Sequence, residues 1–279
     1  MFIQLKNITK TYGEGANAFR ALKGVSLNIA KGDFVALMGP SGSGKSTMAN
    51  ILGCLDSATS GEYLFENVSV QTLTRNERAL LRRHFIGFIF QGFNLLPRTT
   101  ALENVELPLL YRGIPKAKRQ KIALESLKMV GLDGWENHTS NKLSGGQQQR
   151  VAIARAIASK PLFLLADEPT GNLDTKRSVE IMKILQWLNR DLGITILMVT
   201  HEGDMAAFAN REVHFLDGNI DEGKGRNNLK NAVVGGDSAD LRDSVDLGDS
   251  VVGGDSAVVG GDSAVLGDSA DLGTQGGKR

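Results

Sequence analysis

Residues 34–46 read Phe-Val-Ala-Leu-Met-Gly-Pro-Ser-Gly-Ser-Gly-Lys-Ser. The first five are all apolar, which predicts a strand buried on both faces, as in a parallel sheet. The next eight carry Gly, Gly, Lys and Ser at the offsets of a phosphate-binding loop, where glycines let backbone amides turn inward around phosphate oxygens. Apolar residues then recur at helical spacing between Met48 and Leu55. This order of strand, loop and helix predicts an α/β fold with a phosphate site at the start of a helix.

Three side chains of this loop have separate expected roles. Lys45 is expected to reach the β and γ phosphates of a nucleotide, and Ser46 to offer its hydroxyl to Mg²⁺. Thr47 would add a further phosphate contact. Many nucleotide hydrolases share this loop, so the rest of the chain must decide between them. The full set of expected phosphate-binding residues is Gly39, Pro40, Ser41, Gly42, Ser43, Gly44, Lys45, Ser46 and Thr47.

A pair of carboxylates follows a second apolar run. Residues 162–166 read Leu-Phe-Leu-Leu-Ala and are followed by Asp167 and Glu168. Acidic side chains at a strand end hold a metal ion and polarise water, so Asp167 is expected to bind Mg²⁺ and Glu168 to be the general base. Taken alone, such a pair is more often a solvated turn or a helix cap. The phosphate loop favours the catalytic interpretation.

A third motif, Leu-Ser-Gly-Gly-Gln, occupies residues 143–147. A hydroxyl and two glycine amides at the start of a helix make an anion-binding site, although a simple helix N-cap is the alternative. One subunit has no second phosphate for this site, so we expect it to receive the γ phosphate held by the loop of another subunit. The expected contacts are Ser144, Gly145, Gly146 and Gln147.

The remaining pattern embeds these motifs in a larger α/β domain. Residues 2–8 and 25–29 alternate between apolar and polar, which predicts half-exposed strands. A helix at about 175–191 separates the acidic strand from another apolar run at 194–199, and residues 92–159 look mostly helical. We therefore predict a parallel sheet flanked by helices, with an antiparallel β subdomain and an inserted α-helical subdomain at about 92–159.

The composition changes after a predicted globular domain of residues 1–223. Val-Val-Gly-Gly-Asp-Ser-Ala occurs at 233, 251 and 258, and no aromatic residue occurs from Lys224 on. Segments rich in Gly, Asp and Ser bury too little apolar surface to offset the entropy of ordering. Residues 224–279 are therefore predicted to be a disordered tail, with a short irregular solenoid as the alternative.

Composition also indicates the compartment. No run of about 18 apolar residues occurs, so we expect no transmembrane helix. The start lacks a basic segment followed by an apolar one, which predicts a cytosolic protein without a secretory signal. The single cysteine, Cys54, excludes an internal disulfide and is expected to be a reduced packing residue in the helix after the phosphate loop.

Together, the three motifs resemble those of the nucleotide-binding subunits of ATP-binding-cassette (ABC) transporters, over about residues 1–223. Within that family, Phe90 to Pro97 and Thr100 to Val105 are similar to the branch that serves macrolide-efflux and lipoprotein-releasing permeases. The resemblance implies a P-loop NTPase core that binds ATP and Mg²⁺. Some members of this branch are fused to a membrane domain, whereas this chain is expected to be a stand-alone subunit.

The resemblance also gives roles to residues that would otherwise be ordinary. Tyr12 would stack on adenine, and Gln91 would act at the Mg²⁺ site, assist catalysis and contact the permease. His201 would bind the γ phosphate and orient Glu168, and Asp174 would lie at the subunit interface. Without the family context, Tyr12 and Gln91 would be surface residues and His201 a packing or capping histidine.

The function that the resemblance implies is ATP hydrolysis by a dimer, expected to be a homodimer, that drives a separate transmembrane permease in the direction of export. The protein would be cytoplasmic and peripheral on the inner face of the cell membrane, without a nucleic-acid partner. One alternative is an ABC ATPase outside transport, which the single cassette, the single cysteine and the missing heptad run disfavour. The other is an ATP-gated regulator of a membrane partner in cell division or wall remodelling.

Overall fold

The structure is a computed structural model that describes residues 1–221 and residue 223. The predicted disorder of residues 224–279 lies outside the described residues. The strands are β1 (Ile3–Tyr12), β2 (Phe19–Ile29), β3 (Phe34–Met38), β4 (Ser60–Phe65), β5 (Val68–Ser69), β6 (Ile86–Phe90), β7 (Phe163–Asp167), β8 (Thr195–Val199), β9 (Arg211–Leu216) and β10 (Asn219–Ile220). The α-helices are α1 (Lys45–Leu52), α2 (Arg75–Phe85), α3 (Ala101–Tyr111), α4 (Lys116–Met129), α5 (Gly145–Ala158), α6 (Thr175–Arg190) and α7 (Gly203–Ala206).

The larger sheet has six strands in the order β10-β9-β3-β8-β7-β6. All neighbours from β9 to β6 pair in parallel, and β10 pairs antiparallel to β9 at the edge. Side chains of β3 alternate between two buried cores: Phe34 and Ala36 belong to one, Val35 and Leu37 to the other. Because both faces are covered, the strand reads as continuously apolar. The predicted parallel sheet flanked by helices is confirmed.

A second, antiparallel sheet of four strands has the order β2-β1-β4-β5. Its apolar side chains and those of α1 fill the core that includes Val35 and Leu37. This sheet is the predicted β subdomain, but β1 and β2 are longer than the sequence indicates. Phe2 precedes β1 and is buried, with its ring 5.1 Å from that of Phe65 and 6.3 Å from that of Phe163. The alternation within β1 therefore does not extend to Phe2.

Helices α3 to α6 cover the other face of the larger sheet. Val105 of α3, Ala123 of α4 and Val151 of α5 are fully buried in the core that includes Phe34. The three helices α3, α4 and α5 form the inserted α-helical subdomain. None of the helices in residues 1–221 is long and apolar enough to cross a membrane.

Candidate functional site

The phosphate loop, the acidic pair and His201 meet at one edge of the larger sheet. The phosphate loop follows β3, Glu168 follows β7, and His201 follows β8. These strands are neighbours in the order β3-β8-β7 and run parallel, so their carboxyl ends lie at the same edge. Ligands of open α/β sheets bind outside the carboxyl ends of the strands. The topology therefore brings together residues that are up to 162 positions apart.

At two positions, the phosphate loop has a backbone conformation that a residue other than glycine could not adopt. Gly39 has a φ of 141°, and a Cβ there would lie 2.2 Å from the carbonyl oxygen of Phe215. Gly44, the residue before α1, has a φ of 105°, and a Cβ there would lie 2.9 Å from the carbonyl oxygen of Ala21. Gly44 offers no side chain to cap the helix. The first amides of α1 are thus available to an anion, as expected of this motif.

Lys45 lies against this loop with its side chain largely buried. Its ammonium donates hydrogen bonds to the carbonyl oxygens of Gly39 and Pro40, at 2.8 and 2.7 Å. Burial lowers the pKa of Lys45, and the nearby charges of Glu168 and Asp167 oppose that shift. The loop therefore holds a positive charge close to both carboxylates.

A cleft of about 290 Å³ lies over the loop. Ser43 belongs to the loop but does not line the cleft; it is buried, and its hydroxyl oxygen has no hydrogen-bond partner within the described part of the chain. Phe19, which the sequence analysis did not identify, also lines the cleft. The lining residues are Phe19, Ala21, Ser41, Gly42, Gly44, Lys45, Ser46, Thr47, Glu168 and His201.

Glu168 is held in a left-handed backbone conformation, with a φ of 45°. Its amide donates to the carbonyl oxygen of Val199, at 2.9 Å, which fastens it to β8. Its Oε1 atom lies 3.0 Å from Nδ1 of His201. Burial raises the pKa of the neighbouring Asp167; the charge of Glu168 adds to that shift and the charge of Lys45 opposes it. Two carboxylates and a single ammonium thus face one another at the loop.

The Leu-Ser-Gly-Gly-Gln motif forms the start of α5. Ser144 is its N-cap: the Ser144 amide donates to Gln147 Oε1 at 2.9 Å, and the Gln147 amide donates to Ser144 Oγ at 3.4 Å. Buried Gly146 lies against Arg177, since a Cβ there would be 3.1 Å from Cδ of that residue. Asp174 caps α6 and pairs with Arg177 at 3.2 Å. This motif and Asp174 are therefore neighbours, and neither lines the cleft.

Gln91 directly follows β6, at the edge strand of the larger sheet. Its side chain packs against Gly171, where a Cβ would come within 2.5 Å of Gln91 Nε2. The side-chain amide of Asn172 donates to the carbonyl oxygen of Gln91, at 2.9 Å. Gln91 thus contacts the loop that follows Glu168, and it is not among the residues that line the cleft.

Tyr12 ends β1 and pairs with Phe19 of β2 in the antiparallel register. Its hydroxyl donates to Oδ2 of Asp56 at 2.8 Å. Burial raises the pKa of Tyr12, and the hydrogen bond to Asp56 adds to the shift. Tyr12 itself is not a lining residue of the cleft, but the partner strand brings Phe19 into it. Phe19 reaches the cleft through the β1–β2 register, which no local sequence pattern indicates.

Comparisons with known proteins agree on one description. A family model described as ABC transporter matches residues 22–171. An uncharacterized ABC transporter ATP-binding protein of Methanocaldococcus jannaschii, MJ0796, is 53% identical over 223 residues, covering 78% of this chain and 95% of that protein. The macrolide export ATP-binding/permease protein MacB of Marinobacter nauticus is 49% identical over 80% of this chain, which spans only 34% of that relative.

Solved structures match as well. A dimeric structure of the MJ0796 cassette in a post-hydrolysis state, bound to ADP and Pi, has a TM-score of 0.74 at 49% identity, covering 81% of this chain and 98% of that chain. A second dimeric structure of MJ0796 has the same TM-score and coverage at 50% identity.

Proposed function

The chain belongs to the ABC transporter family as an ATP-binding cassette, and on that premise we propose that it hydrolyses ATP as a homodimer and drives a separate membrane permease. One observation carries the proposal: Lys45, Glu168 and His201 face one cleft, and Ser144 is not among the residues that line it. An anion site at the start of α5 that serves the same nucleotide must then come from a second copy. The dimeric structures of the MJ0796 cassette support this arrangement.

In this proposal the phosphate loop and α1 hold the triphosphate. The backbone amides at the start of α1 face the phosphates, and the ammonium of Lys45 pairs with the β and γ groups. The ammonium already lies at the loop, bound to two backbone carbonyls, so it needs little movement to reach a phosphate. Tyr12 would stack on adenine, and Phe19 would place a second aromatic ring beside the nucleotide.

Hydrolysis needs a water molecule aligned with the γ phosphate and a base that takes its proton. Glu168 would be that base, because its backbone is fastened to Val199 and its carboxylate faces the cleft. His201 would orient Glu168 through the 3.0 Å contact and bind the γ phosphate. The Ser144 helix of the second copy would stabilise the charge that develops on the phosphate oxygens.

The site also fits a Mg²⁺ ion. Burial raises the pKa of Asp167, the negative charge of the adjacent Glu168 adds to that shift, and the charge of Lys45 opposes it. A divalent cation held by oxygen ligands would offset this excess of negative charge. Ser46, Asp167 and Gln91 are the residues that would hold it. When bound, Mg²⁺ neutralises charge on the β and γ phosphates.

The relatives support a permease partner and transport in the direction of export. Proteins named macrolide export ATP-binding/permease are 47–49% identical to this chain and join both parts in one polypeptide. We infer that this chain supplies the ATP-binding part to a permease of the same export type, on the cytoplasmic face of the membrane. Motion would pass to the permease through the segment after Gln91. Gln91 itself contacts the loop that follows Glu168.

Mixing two variants that are each inactive tests whether one nucleotide site is formed by two copies of the chain. Lys45→Ala removes the phosphate contact, and Gly145→Asp puts a carboxylate at the anion site without a clash, since a Cβ there would meet no atom nearer than Leu173 Cδ2, at 3.4 Å. In a mixed dimer, one intact loop faces one intact Ser144 helix, so phosphate release should reappear when the two proteins are combined. Specific activity of the wild type should also fall on dilution. Full activity at any dilution, with no rescue in the mixture, would refute the proposal.

The permease is tested separately. A membrane protein encoded next to this chain should co-purify with it and should raise or lower its ATPase rate in membranes. Steep, salt-dependent binding to a nucleic-acid duplex would instead favour an ABC ATPase outside transport.

A further inference from the structure

Tyr12 is held by its hydroxyl more than by packing around its ring. Tyr12 as a whole residue is 40% exposed, whereas its hydroxyl donates to Asp56 Oδ2 at 2.8 Å. The ammonium of Lys10 lies over the ring, 4.8 Å from its centroid, and 2.6 Å from Asp56 Oδ1. Lys10, Tyr12 and Asp56 therefore form a closed triangle in which one carboxylate contacts both other side chains.

Asp56 is itself fixed to the helix that carries Lys45. Its amide donates to the carbonyl oxygen of Asn50 in α1, at 3.1 Å. Its Oδ1 atom accepts from the Ser57 amide at 2.7 Å, and Lys10 Nζ donates to the Ser57 carbonyl at 2.7 Å. Lys10 is only 9% exposed. The aromatic ring is thus tied through Asp56 to the same helix whose start would bind the phosphates.

The charges of the triangle support its rigidity. Burial acts to raise the pKa of Asp56, but the hydrogen bonds from Lys10, Tyr12 and the Ser57 amide outweigh it and lower the pKa. The carboxylate is therefore ionised at neutral pH, and hydrogen bonds to an ionised acceptor are stronger than those between neutral groups. Lys10 lies over one face of the ring, so a planar ligand that stacks on Tyr12 would have to meet the opposite face.

We propose that Asp56 is a positioning residue for base recognition, which holds the Tyr12 ring so that its face away from Lys10 meets the nucleobase of ATP. The inference rests on the proposed function, in which Tyr12 stacks on adenine. An exposed tyrosine loses side-chain freedom when a base stacks on it, and a ring that is already fixed avoids that cost. Asp56 thereby couples base binding to the geometry of the phosphate loop.

Inorganic tripolyphosphate has the phosphates of ATP but no base, so its binding distinguishes a role of Asp56 in base recognition from a structural role. KM and kcat for ATP, and the inhibition constant of inorganic tripolyphosphate, are measured for the wild type, Asp56→Ala, Tyr12→Phe and the double variant. Tyr12→Phe removes only the hydroxyl, so it does not depend on how Asp56→Ala folds. Loss of one hydrogen bond should raise KM for ATP by roughly twofold to tenfold in each single variant. The tripolyphosphate constant should stay at the wild-type value, and kcat should change less than KM.

The double variant should lose less than the sum of the two single variants, since both changes remove the bond between the Tyr12 hydroxyl and Asp56. Asp133→Asn, an exposed carboxylate in the helical subdomain, is the matched control and should leave KM unchanged. A parallel rise in the tripolyphosphate constant, or additive effects in the double variant, would overturn the proposal. Tyr12→Ala checks its premise: if KM for ATP is unchanged there, the base does not stack on Tyr12 and both ideas fail. If Tyr12→Ala raises KM but Tyr12→Phe does not, only the role of Asp56 fails.

Discussion

Nδ1 of His201 lies 3.0 Å from Oε1 of Glu168, although the two residues follow different strands. The strands β7 and β8 are neighbours, so the parallel register sets this distance. The imidazole is 60% exposed and the carboxylate 27% exposed. The histidine therefore lies on the solvent side of the carboxylate, where it can contact both a bound phosphate and Glu168.

Replacing the proposed base should separate nucleotide binding from turnover. Glu168→Gln keeps the shape of the side chain but removes its basicity, so phosphate release should fall by about a hundredfold to ten-thousandfold. ATP-dependent dimers should accumulate, as detected by light scattering. Glu125→Gln on an exposed part of α4 is the matched control and should behave as wild type. Unchanged turnover in Glu168→Gln would remove this residue from the mechanism.

The loop lysine should matter for nucleotide binding as well as for the reaction. In Lys45→Ala the phosphates lose their ammonium, and the carbonyls of Gly39 and Pro40 lose its hydrogen bonds. ATP binding, followed by titration with a fluorescent analogue, should weaken at least tenfold, and turnover should be lost. Lys118→Ala, an exposed lysine of α4, is the comparison and should bind ATP normally. Normal turnover in Lys45→Ala would contradict the phosphate contact.

A substitution at Gly171 tests the contact between Gln91 and the loop that follows Glu168. A methyl group in Gly171→Ala would meet Gln91 Nε2 at 2.5 Å and Cδ at 3.1 Å. These atoms belong to a flexible side chain, so Gln91 moves and the fold is kept. We expect the melting temperature to stay near that of the wild type and the ATPase rate to fall severalfold. Gly203→Ala, whose Cβ meets nothing within 4 Å, is the control, and an equal loss there would rule out a specific effect.

The sequence predicts the centre of the fold better than its edges. Strands β3, β7 and β8 are almost entirely apolar because both of their faces are buried, and a run of apolar residues identifies each of them in the sequence. Near the edge, β9 carries Arg211, Glu212 and His214 among its apolar residues, and β10 has only two residues. Such strands owe their conformation to pairing with a neighbour, which no local pattern encodes.

The same distinction applies to the site. Lys45, Glu168 and Ser144 stand in motifs whose spacing along the chain identifies them. Phe19 and Asp56 do not, because Phe19 reaches the cleft through the β1–β2 register and Asp56 reaches Tyr12 from a loop 44 residues away. Motif spacing therefore predicts the residues expected at the phosphates, whereas contacts around the expected base site depend on tertiary structure.

The repeat-rich tail should be dispensable for turnover. All predicted site residues precede residue 202, and the Gly, Asp and Ser composition of residues 231–279 offers little apolar surface for packing. A variant truncated after residue 230 should therefore hydrolyse ATP at the full-length rate under identical conditions. A severalfold loss of rate, with the melting temperature unchanged, would assign the tail a part in catalysis.

Cys54 should be protected from alkylation in the native protein. It lies just after α1, buried as predicted, although the helix ends two residues earlier. Burial raises the pKa of its thiol to about 11, with Arg82 and Arg78 opposing the shift. The thiolate is the reactive form, so iodoacetamide at pH 8 should modify native protein about a hundredfold more slowly than unfolded protein, where the pKa is near its ordinary value.

Because of the same raised pKa, the free energy of unfolding should depend on pH in the alkaline range. Because the folded state favours the neutral thiol, its contribution is complete below about pH 9 and is lost as the pH rises through 11. A shift of two pKa units corresponds to at most about 3 kcal/mol. The free energy of unfolding should therefore fall more steeply between pH 9 and 11 in the wild type than in Cys54→Ala. Equal slopes, together with equal alkylation rates for native and unfolded protein, would show that the thiol is reached by solvent.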